Sequence, residues 1–393
     1  MKVLILTAGF GDGHNAAARN VRDALEKLDP EQGRVEILDL LEYVYGRLNQ
    51  WAKSAYLGLV RHAPGLWGRV YNVIDHSPGL VGVMIWSRLR KALQDVLDET
   101  QPDVVISTYP VYADVVAELF RFHAEKFFRF YTVITDSISV NTAWLRSRSD
   151  LYFVANDPTA EMLIRHGVER ERIAVTGFPV SPAFFDEDAP EVLAPVGEGI
   201  RRILYVVNHG RVKAGHVLED LLAIPNTELT IAAGRDAEIK AALEARLEGY
   251  GDRVRILGWT NLMPRLLLTH HLVIGKAGGA SVQEAIAARC PILINHTIPG
   301  HEEGNAQFVQ ERGLGCVVES REGIVEAVRT AFADDAFVWR KWRANLEPES
   351  RPGAAYRIAD IVLREDASAR GCRDYCEPGG PLSGYGRPIV ALA

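Results

Sequence analysis

The sequence has few cysteines, and the four it has are scattered. Cys290, Cys316, Cys372 and Cys376 are too few for a disulfide framework in a chain of 393 residues. The last two stand close together but lack a second pair of ligands, so the sequence predicts no zinc site. This cysteine usage is typical of a cytosolic protein.

Long apolar runs are also missing. No stretch of eighteen apolar residues occurs, so no membrane-spanning helix is expected. The apolar segment Lys2–Leu6 is too short for a signal-peptide core and runs into a glycine-rich loop, so no signal peptide is expected. Positive charge is in the minority, because the net charge is −7, and this argues against general nucleic-acid binding.

What the chain does contain is a steady alternation of strand and helix patterns. Hydrophobic residues make up 48% and charged residues 24%, as in an ordinary globular protein, and the length allows two domains. The alternation predicts doubly wound α/β layers. Residues 177–199 are rich in proline, glycine and acids and show no periodicity, so they form the best domain boundary.

The most informative stretch is Val273–Asn305. A strand, Leu272–Ile274, leads through a glycine-rich turn into a helix expected to begin near Ser281. Small residues and unpaired N–H groups at such a helix start suit a diphosphate. A second strand, Pro291–Asn295, ends in the polar loop Pro299–Asn305, which opens another helix. Both loops are expected on the edge of a parallel sheet where ligands bind.

Simpler interpretations of this stretch remain open. Ser281 and Glu284 have the spacing of a capping box, in which Glu284 would only satisfy backbone donors at the start of its own helix. Gly278 and Gly279 would then form only a tight strand-to-helix turn.

A second glycine-rich loop, Gly9–His14, joins the strand Val3–Thr7 to the helix Ala16–Leu28. A dinucleotide site is the rival interpretation, with Asp39 as the acid that binds ribose. The final glycine of G-x-G-x-x-G is missing, and Asp39 comes later than the expected spacing of about 20 residues. His14 could serve as a general base, because histidine titrates near neutral pH, or could only form hydrogen bonds at its helix start.

Residues 46–91 interrupt the alternation and carry seven basic residues against a single acid, Asp75. Aromatic residues are interleaved with them, a combination that an anionic lipid surface attracts. The candidate membrane and acceptor contacts are Trp51, Tyr56, Arg61, Trp67, Arg69, Trp86 and Arg88. The alternative is a helical insertion whose apolar side chains pack on the first sheet and leave the arginines in solvent.

Taken together, these motifs resemble the GT-B glycosyltransferases of family 28, which include monogalactosyldiacylglycerol synthases and processive diacylglycerol glucosyltransferases. That family has a Gly-Gly turn followed by Glu-Ala, and then Pro-Gly-Gln-Glu-x-x-Asn. Here the turn is Gly278-Gly279, Glu284 precedes an alanine, and the loop is Pro299–Asn305. His301 stands where the family usually has glutamine, a residue that contacts the donor sugar there.

The resemblance extends into the first half of the chain. The segment Gly13-His14-Asn15-Ala16 matches the end of the family's glycine-rich loop, and Val133–Asp136 with Trp144 resembles its Val-Thr-Asp and Trp element. A Gly-x-Pro-Val-x-Pro step matches at Gly177–Pro182. The loop after the strand Arg202–Val207 is poorer in glycine than in the family but offers Arg211 near the donor phosphates.

The resemblance implies an α/β fold of the GT-B type, with two Rossmann-like doubly wound domains facing a central cleft. Residues 1–180 would form the acceptor- and membrane-binding domain, 181–200 a linker, and 201–345 the nucleotide-sugar domain. Residues 346–366 would form a terminal helix that crosses back to the first domain. Residues 367–393, rich in glycine and proline, would form a flexible tail.

The resemblance also implies roles for individual residues. His14 would be the catalytic base, and Gly11 and Gly13 would shape its loop. Asp136 would orient the acceptor, support His14 or cap its own turn. The expected donor-binding residues are Arg211, Trp259, Thr260, Gly278, Gly279, Ala280, Ser281, Glu284, Pro299, Gly300, His301, Glu302 and Asn305. For Trp259, packing in the core is the alternative.

The implied reaction is an inverting transfer of a hexose from UDP-glucose or UDP-galactose to a diacylglycerol-type lipid. It would take place at an anionic membrane, on the cytoplasmic face, with the UDP-sugar as co-substrate and with no metal or other cofactor. Three alternatives remain open: a transferase that acts on a polyprenyl-linked sugar, a UDP-sugar 2-epimerase, and a non-catalytic nucleotide-sugar-binding protein.

Overall fold

The structure is a computed structural model. It describes residues 1–9, 12–30, 34–46, 82–121, 126–136, 142–145, 148–186, 192, 194–195, 199–207, 211–298 and 302–369. Within these ranges the chain forms two parallel sheets of six strands each, flanked by helices. The predicted fold of two doubly wound α/β halves is confirmed.

The first sheet has the strand order β2-β1-β3-β4-β5-β6. Its strands are β1 (Lys2–Thr7), β2 (Arg34–Asp39), β3 (Val104–Ser107), β4 (Arg129–Val133), β5 (Leu151–Val154) and β6 (Ile173–Val175). Every pair is parallel, and Val3 lies between Val35 and Val104. Apolar residues dominate β1, β3, β4 and β5, with valine, isoleucine and leucine in β1 and β3 and aromatic residues in β4 and β5, because helices cover both faces of the sheet.

The helices of the first half are α1 (Asp12–Leu28), α2 (Leu40–Tyr45), α3 (Gly82–Thr100), α4 (Val111–Leu119) and α5 (Asp157–Arg165). Helix α1 begins four residues before the predicted Ala16, so His14 lies inside its first turn.

The second sheet has the order β12-β11-β10-β7-β8-β9. Its strands are β7 (Arg201–Val206), β8 (Thr227–Ala232), β9 (Val254–Leu257), β10 (Leu272–Lys276), β11 (Ile292–His296) and β12 (Gly315–Val317). The strand order reverses between β7 and β10. In open α/β sheets ligands bind at such a switch point, outside the carboxyl ends of the strands.

A short helix, α6 (Ala183–Asp186), precedes the second sheet. The helices that follow are α7 (Arg211–Leu222), α8 (Ala237–Leu247), α9 (Met263–Thr269), α10 (Gly279–Ala287), α11 (Glu303–Glu311), α12 (Arg321–Glu349) and α13 (Ala354–Ala369). The backbone of α12 leaves helical geometry at residues 333–336, so it consists of two helical segments, and the sequence pattern predicts two helices here, over 324–332 and 337–345.

The last helix, α13, packs on the first half of the molecule rather than on the second. Ala355, Ile358, Ala359 and Val362 are buried in the same apolar cluster as Val3 and other residues of the first sheet and α1. The chain therefore crosses between the halves twice within the described residues.

The two crossings contact each other at Gly177, whose φ of +95° favours glycine. A Cβ atom at this position would lie 2.8 Å from the Cβ of Arg351 and 3.0 Å from that of Ala354. On the neighbouring helix α6, Asp186 accepts hydrogen bonds from the hydroxyl of Tyr356 at 2.7 and 2.8 Å. Both contacts tie the outgoing segment to the returning one.

Part of the segment predicted as a linker is packed rather than exposed. Phe184 of α6 and Val192 are buried; Val192 belongs to an apolar cluster of the second half, and Phe184 belongs to a cluster that joins both halves. No helix among the described residues is both long enough and apolar enough to span a bilayer.

Candidate active site

The candidate site lies where the carboxyl edges of the two sheets meet. A Cβ atom added to Gly13 would lie 3.9 Å from the Cβ of Ala280, and one added to Gly279 would lie 3.6 Å from the carbonyl oxygen of Thr135. The first turn of α1 and the loop after β4 therefore lie against the start of α10. The structure thus brings the base predicted in the first half close to the glycine turn predicted in the second.

The ring of His14 is held by residues that follow two other strands. Its Nδ1 lies 2.8 Å from the carbonyl oxygen of Thr108, after β3, and 2.9 Å from Oγ1 of Thr135, after β4. A carbonyl oxygen only accepts, so the proton of neutral His14 is on Nδ1. The lone pair is then on Nε2, which is the ring atom able to take a proton.

Aromatic rings complete the surroundings of His14. The ring of Tyr109 meets it edge to face at 5.1 Å between centroids, and the ring of Trp144 lies 6.2 Å away. Trp144 is completely buried, and its Nε1 donates a hydrogen bond of 2.7 Å to Oδ2 of Asp136. Asp136 thus fixes the indole beside His14, while Thr108 and Thr135 hold Nδ1.

Asp39, the acid of the rival dinucleotide interpretation, has a structural role in this fold. Its Oδ2 accepts a hydrogen bond of 2.9 Å from the amide of Gly9, and its Oδ1 accepts one from Glu42 at the start of α2. The carboxylate thus caps α2 and anchors the glycine-rich loop that leads to His14. The neighbouring Gly11 lies outside the described residues.

The start of α10 differs from the prediction. The helix begins at Gly279 with Gly278 as its N-cap, two residues before Ser281, and no side chain caps it. The capping-box interpretation of Ser281 and Glu284 is therefore wrong. An added Cβ would lie within 3.4 Å of the Lys276 side chain at Gly278, and at the ordinary contact distance of 3.6 Å from Asn305 and Thr135 at Gly279. Amide groups of the first turn remain available for an anion.

Glu284 lies inside α10 and keeps partial access to solvent. Burial raises the pKa of its carboxyl from 4.5 to about 7. A carboxyl group with this pKa near a ligand site is a candidate for a functional role, because nothing in its own helix start requires it.

Lys276 and Glu302 form an ion pair beside the N-cap of α10. The Nζ of Lys276 lies 2.7 Å from Oε1 of Glu302, whose side chain is only 3% exposed, whereas that of Lys276 is 39% exposed. The register of β10 shifts between Gly275 and Lys276, which redirects the lysine as bulges near active sites do. A Cβ atom on Gly278 would lie 3.4 Å from Nζ, so the cation lies at the helix start.

Glu302 and Asn305 also organise the loop that precedes α11. The second carboxylate oxygen of Glu302 accepts a hydrogen bond of 3.2 Å from the amide of Ile298. Asn305 donates to the carbonyl of Ala277 at 3.0 Å, while its own Oδ1 is buried and has no hydrogen-bond partner among the described residues. Asn305 thus offers one acceptor for a hydroxyl group close to the start of α10.

The loop that contains Trp259 and Thr260, two of the expected donor-binding residues, follows β9. Trp259 is 64% exposed, so the alternative that it packs in the core is wrong, and the guanidinium of Arg235 lies 5.5 Å from its ring. The hydroxyl of Thr260 accepts from the amide of Leu262.

Arg211 is the first residue of α7 and Trp86 lies in α3, but their side chains are not described, and Arg88 is exposed on α3. Further predicted residues lie outside the described ranges: Trp51, Tyr56, Arg61, Trp67, Arg69, Pro299, Gly300 and His301.

Sequence reasoning did not assign roles to several residues that the structure places in the site. These are Thr108, Tyr109, Thr135 and Lys276. Each stands at or just after the carboxyl end of a parallel strand, and this position was the available signal.

Two family models match the chain, one in each half. Residues 14–180 match the monogalactosyldiacylglycerol (MGDG) synthase family, and residues 210–345 match the C-terminal domain of glycosyltransferase family 28. The first match begins at His14, and the second contains α10, Lys276 and Glu302.

Similar proteins extend over nearly the whole chain. A processive diacylglycerol beta-glucosyltransferase of Bacillus subtilis (strain 168) is 25% identical over 373 residues, which are 93% of this chain and 95% of that protein. The protein of the same description from Bacillus cereus (strain B4264) is 26% identical over 371 residues, 93% of this chain and 94% of that one.

Solved structures share the fold at lower identity. Acinetobacter baumannii MurG has a TM-score of 0.61 at 14% identity, covering 92% of this chain and 99% of that chain. The UDP-GlcNAc 2-epimerase of Neisseria meningitidis, bound to UDP-GlcNAc, has a TM-score of 0.58 at 14% identity, covering 93% and 100%. With both family models matched and the same two-sheet fold, the chain belongs to the family 28 glycosyltransferases of the GT-B type, with an N-terminal half of the monogalactosyldiacylglycerol synthase kind.

Proposed function

We propose that this glycosyltransferase transfers a hexose from UDP-glucose or UDP-galactose to the hydroxyl group of a diacylglycerol-type lipid, with inversion at the anomeric carbon. The descriptions of the Bacillus relatives support the lipid acceptor and the glucosyl donor. The observation that carries the proposal is the position of His14, with Nδ1 at 2.8 Å from the Thr108 carbonyl oxygen and its helix turn lying against the start of α10.

In the proposed reaction the lipid hydroxyl oxygen attacks the anomeric carbon from the side opposite to the diphosphate. The bond between that carbon and the diphosphate oxygen breaks, and UDP leaves with the electron pair. The hydroxyl proton moves to Nε2 of His14, whose Nδ1–H remains bonded to the Thr108 carbonyl.

The second half would stabilise the leaving group. Amide groups in the first turn of α10 and the ammonium of Lys276 lie together and suit the negative charge that grows on the diphosphate. Glu284, one of the expected donor-binding residues, would accept hydrogen bonds from hydroxyl groups of the nucleotide sugar. Asn305 would accept from a hydroxyl of the donor through its buried Oδ1.

The acceptor would reach the site from the membrane. Residues 46–91, basic and rich in aromatics, would bind the anionic surface, so the enzyme would act as a peripheral protein of the cytoplasmic face. We propose that no metal takes part. The first turn of α10 and the ammonium of Lys276 would supply the positive charge that the diphosphate needs.

The test is transfer of labelled sugar from UDP-glucose and, separately, UDP-galactose to liposomes that contain diacylglycerol, followed by separation of the lipids. Wild-type protein should form a labelled glycolipid, and His14→Ala should not, although it should bind UDP nearly as well. Turnover of His14→Ala at the wild-type rate would remove His14 from the mechanism.

The same assay separates the alternatives when it is repeated with a polyprenyl-linked sugar as the acceptor and when the remaining UDP-sugar is analysed as well. Label transferred only to a polyprenyl-linked sugar would identify a different lipid acceptor. Conversion of the UDP-sugar to its 2-epimer without lipid labelling would identify an epimerase. Binding of UDP-sugar without any product would identify a non-catalytic protein, and each of these results would overturn the proposal.

A further inference from the structure

The side chain of Thr135, which follows the carboxyl end of β4, contacts His14. Its Oγ1 lies 2.9 Å from Nδ1 of His14, and Thr135 itself is only 7% exposed. The carbonyl oxygen of the same residue faces Gly279, the first residue of α10. One residue therefore contacts both the proposed base and the helix start proposed to bind the diphosphate.

The hydrogen bonds at Nδ1 determine what Thr135 can do. The single proton on Nδ1 points toward two oxygen acceptors, the carbonyl of Thr108 and the hydroxyl of Thr135, in a three-centre arrangement. When Nε2 takes a proton, the ring becomes a cation, and hydrogen bonds from a charged donor are stronger than those from a neutral one. Both acceptors thus favour the protonated ring and fix its orientation.

We propose that Thr135 is a positioning residue, which with the Thr108 carbonyl fixes the orientation of the His14 ring so that Nε2 faces the acceptor hydroxyl beside α10. This inference rests on the proposed function for its role in transfer. Within the described surroundings of His14, two further groups can ionise: Tyr109, which meets the ring edge to face, and Asp136, which is bonded to Trp144.

The variant Thr135→Val removes the hydroxyl and keeps the shape of the side chain. We expect kcat to fall roughly ten-fold, with little change in KM for the UDP-sugar, because one hydrogen bond to a charged ring is lost. The acidic limb of the pH profile should move to lower pH, by about one unit, because the protonated ring loses an acceptor. Thr135→Ser keeps a hydroxyl and should restore most of the activity.

A matched control lies on the same side of the molecule. Thr132 is a buried threonine of β4, and its Oγ1 bonds to Oγ of Ser149 at 2.6 Å. Thr132→Val therefore loses a buried threonine hydroxyl without touching His14. If Thr135→Val and Thr132→Val lowered kcat equally and left the pH profile unchanged, Thr135 would have only a structural role.

Nitrogen NMR of the His14 ring tests the inference without any transfer assay. Wild-type protein should show a protonated Nδ1 and an unprotonated Nε2 at high pH. Thr135→Val should keep this tautomer, because the Thr108 carbonyl remains, but its ring should take up the second proton at lower pH, because the protonated ring has lost an acceptor. A wild-type ring with its proton on Nε2 would overturn the inference even if the protein transfers sugar. The expected tautomer in a protein that transfers no sugar would leave the inference standing and overturn only the proposed function.

Discussion

The ammonium group of Lys276 lies 2.7 Å from Oε1 of Glu302, directly beside the glycine at which α10 begins. The carboxylate is almost completely buried, and the lysine is partly open to solvent. Glu302 therefore fixes a cation at the point where the leaving diphosphate is proposed to bind.

Replacing Lys276 by methionine should reduce kcat by about ten- to a hundred-fold, because a charge that stabilises the leaving group is removed. The variant should also lose about 1–3 kcal/mol of stability, since the buried Glu302 carboxylate is left without its cation. Steady-state kinetics and urea unfolding measure the two effects. The double variant Lys276→Met/Glu302→Gln should recover stability but not turnover, and recovery of turnover would contradict the role of Lys276.

Glu284 should make the stability of the protein depend on pH. Its pKa is raised from 4.5 to about 7, so its contribution to stability is fully present below pH 4.5 and is lost as the pH rises through 7. At pH 8, Glu284→Gln should have a free energy of unfolding about 1–3 kcal/mol larger than that of wild type, measured by urea unfolding. The difference should shrink at pH 5. Glu326→Gln, at an exposed position of α12, serves as the control and should show no such trend.

The same carboxyl should couple UDP binding to proton release. In the proposed complex, hydroxyl groups of UDP donate to the ionised Glu284 carboxylate, so binding would favour loss of its proton and should strengthen as the pH rises from 6 to 8. Calorimetry in two buffers of different ionisation enthalpy measures the protons released. Wild type should release more than Glu284→Gln, which also corrects for titration of UDP itself, and Glu284→Ala should bind UDP more weakly. Equal proton release by wild type and Glu284→Gln would show that Glu284 does not take part in UDP binding.

Gly177 should tolerate substitution less well than another glycine with the same backbone conformation. Gly177 and Gly167 have φ values of +95° and +90°, but an added Cβ contacts Arg351 and Ala354 only at Gly177. Gly167→Ala should cost about 1–2 kcal/mol from backbone strain, and Gly177→Ala should cost about 1–3 kcal/mol more from overpacking. Denaturant unfolding measures both, and equal losses would show that the two crossing segments are not packed as described.

The proposed absence of a metal predicts that chelation has no effect. Treatment with EDTA, followed by transfer assays with and without added Mg²⁺ or Mn²⁺, should give unchanged rates, because α10 and Lys276 would carry the charge of the diphosphate. A loss of activity that only a divalent cation restores would contradict this prediction.

The sequence predicted the strands and most helices well because their signals are local. Buried parallel strands such as Val104–Ser107 are short apolar runs, and amphipathic helices such as α1 have a clear period. The helix start at Gly279 was misplaced because the standard signal places serine at the N-cap, whereas two glycines begin this helix where other loops lie close.

The contacts of His14 could not be predicted from local pattern. Its partners Thr108 and Thr135 are 94 and 121 residues away along the chain, and only the strand order brings them to one nitrogen atom. Likewise, the pairing of Lys276 with Glu302 depends on a register shift in β10 that no residue type signals. The sequence suggested that Asp136 lies near His14, but it did not indicate that Thr135, the residue before Asp136, makes the contact with the His14 ring.

Because α13 completes the covering of the first sheet, the second domain is in effect inserted into the first rather than appended to it. A fragment that ends after α12 would expose the apolar surface of β1 and α1, so the first half cannot be cut from the gene as one uninterrupted piece and be expected to remain in solution. The second half, which is proposed to bind the donor, is continuous by contrast, and a fragment chosen to express it alone would start before Phe184 and stop before Ala354.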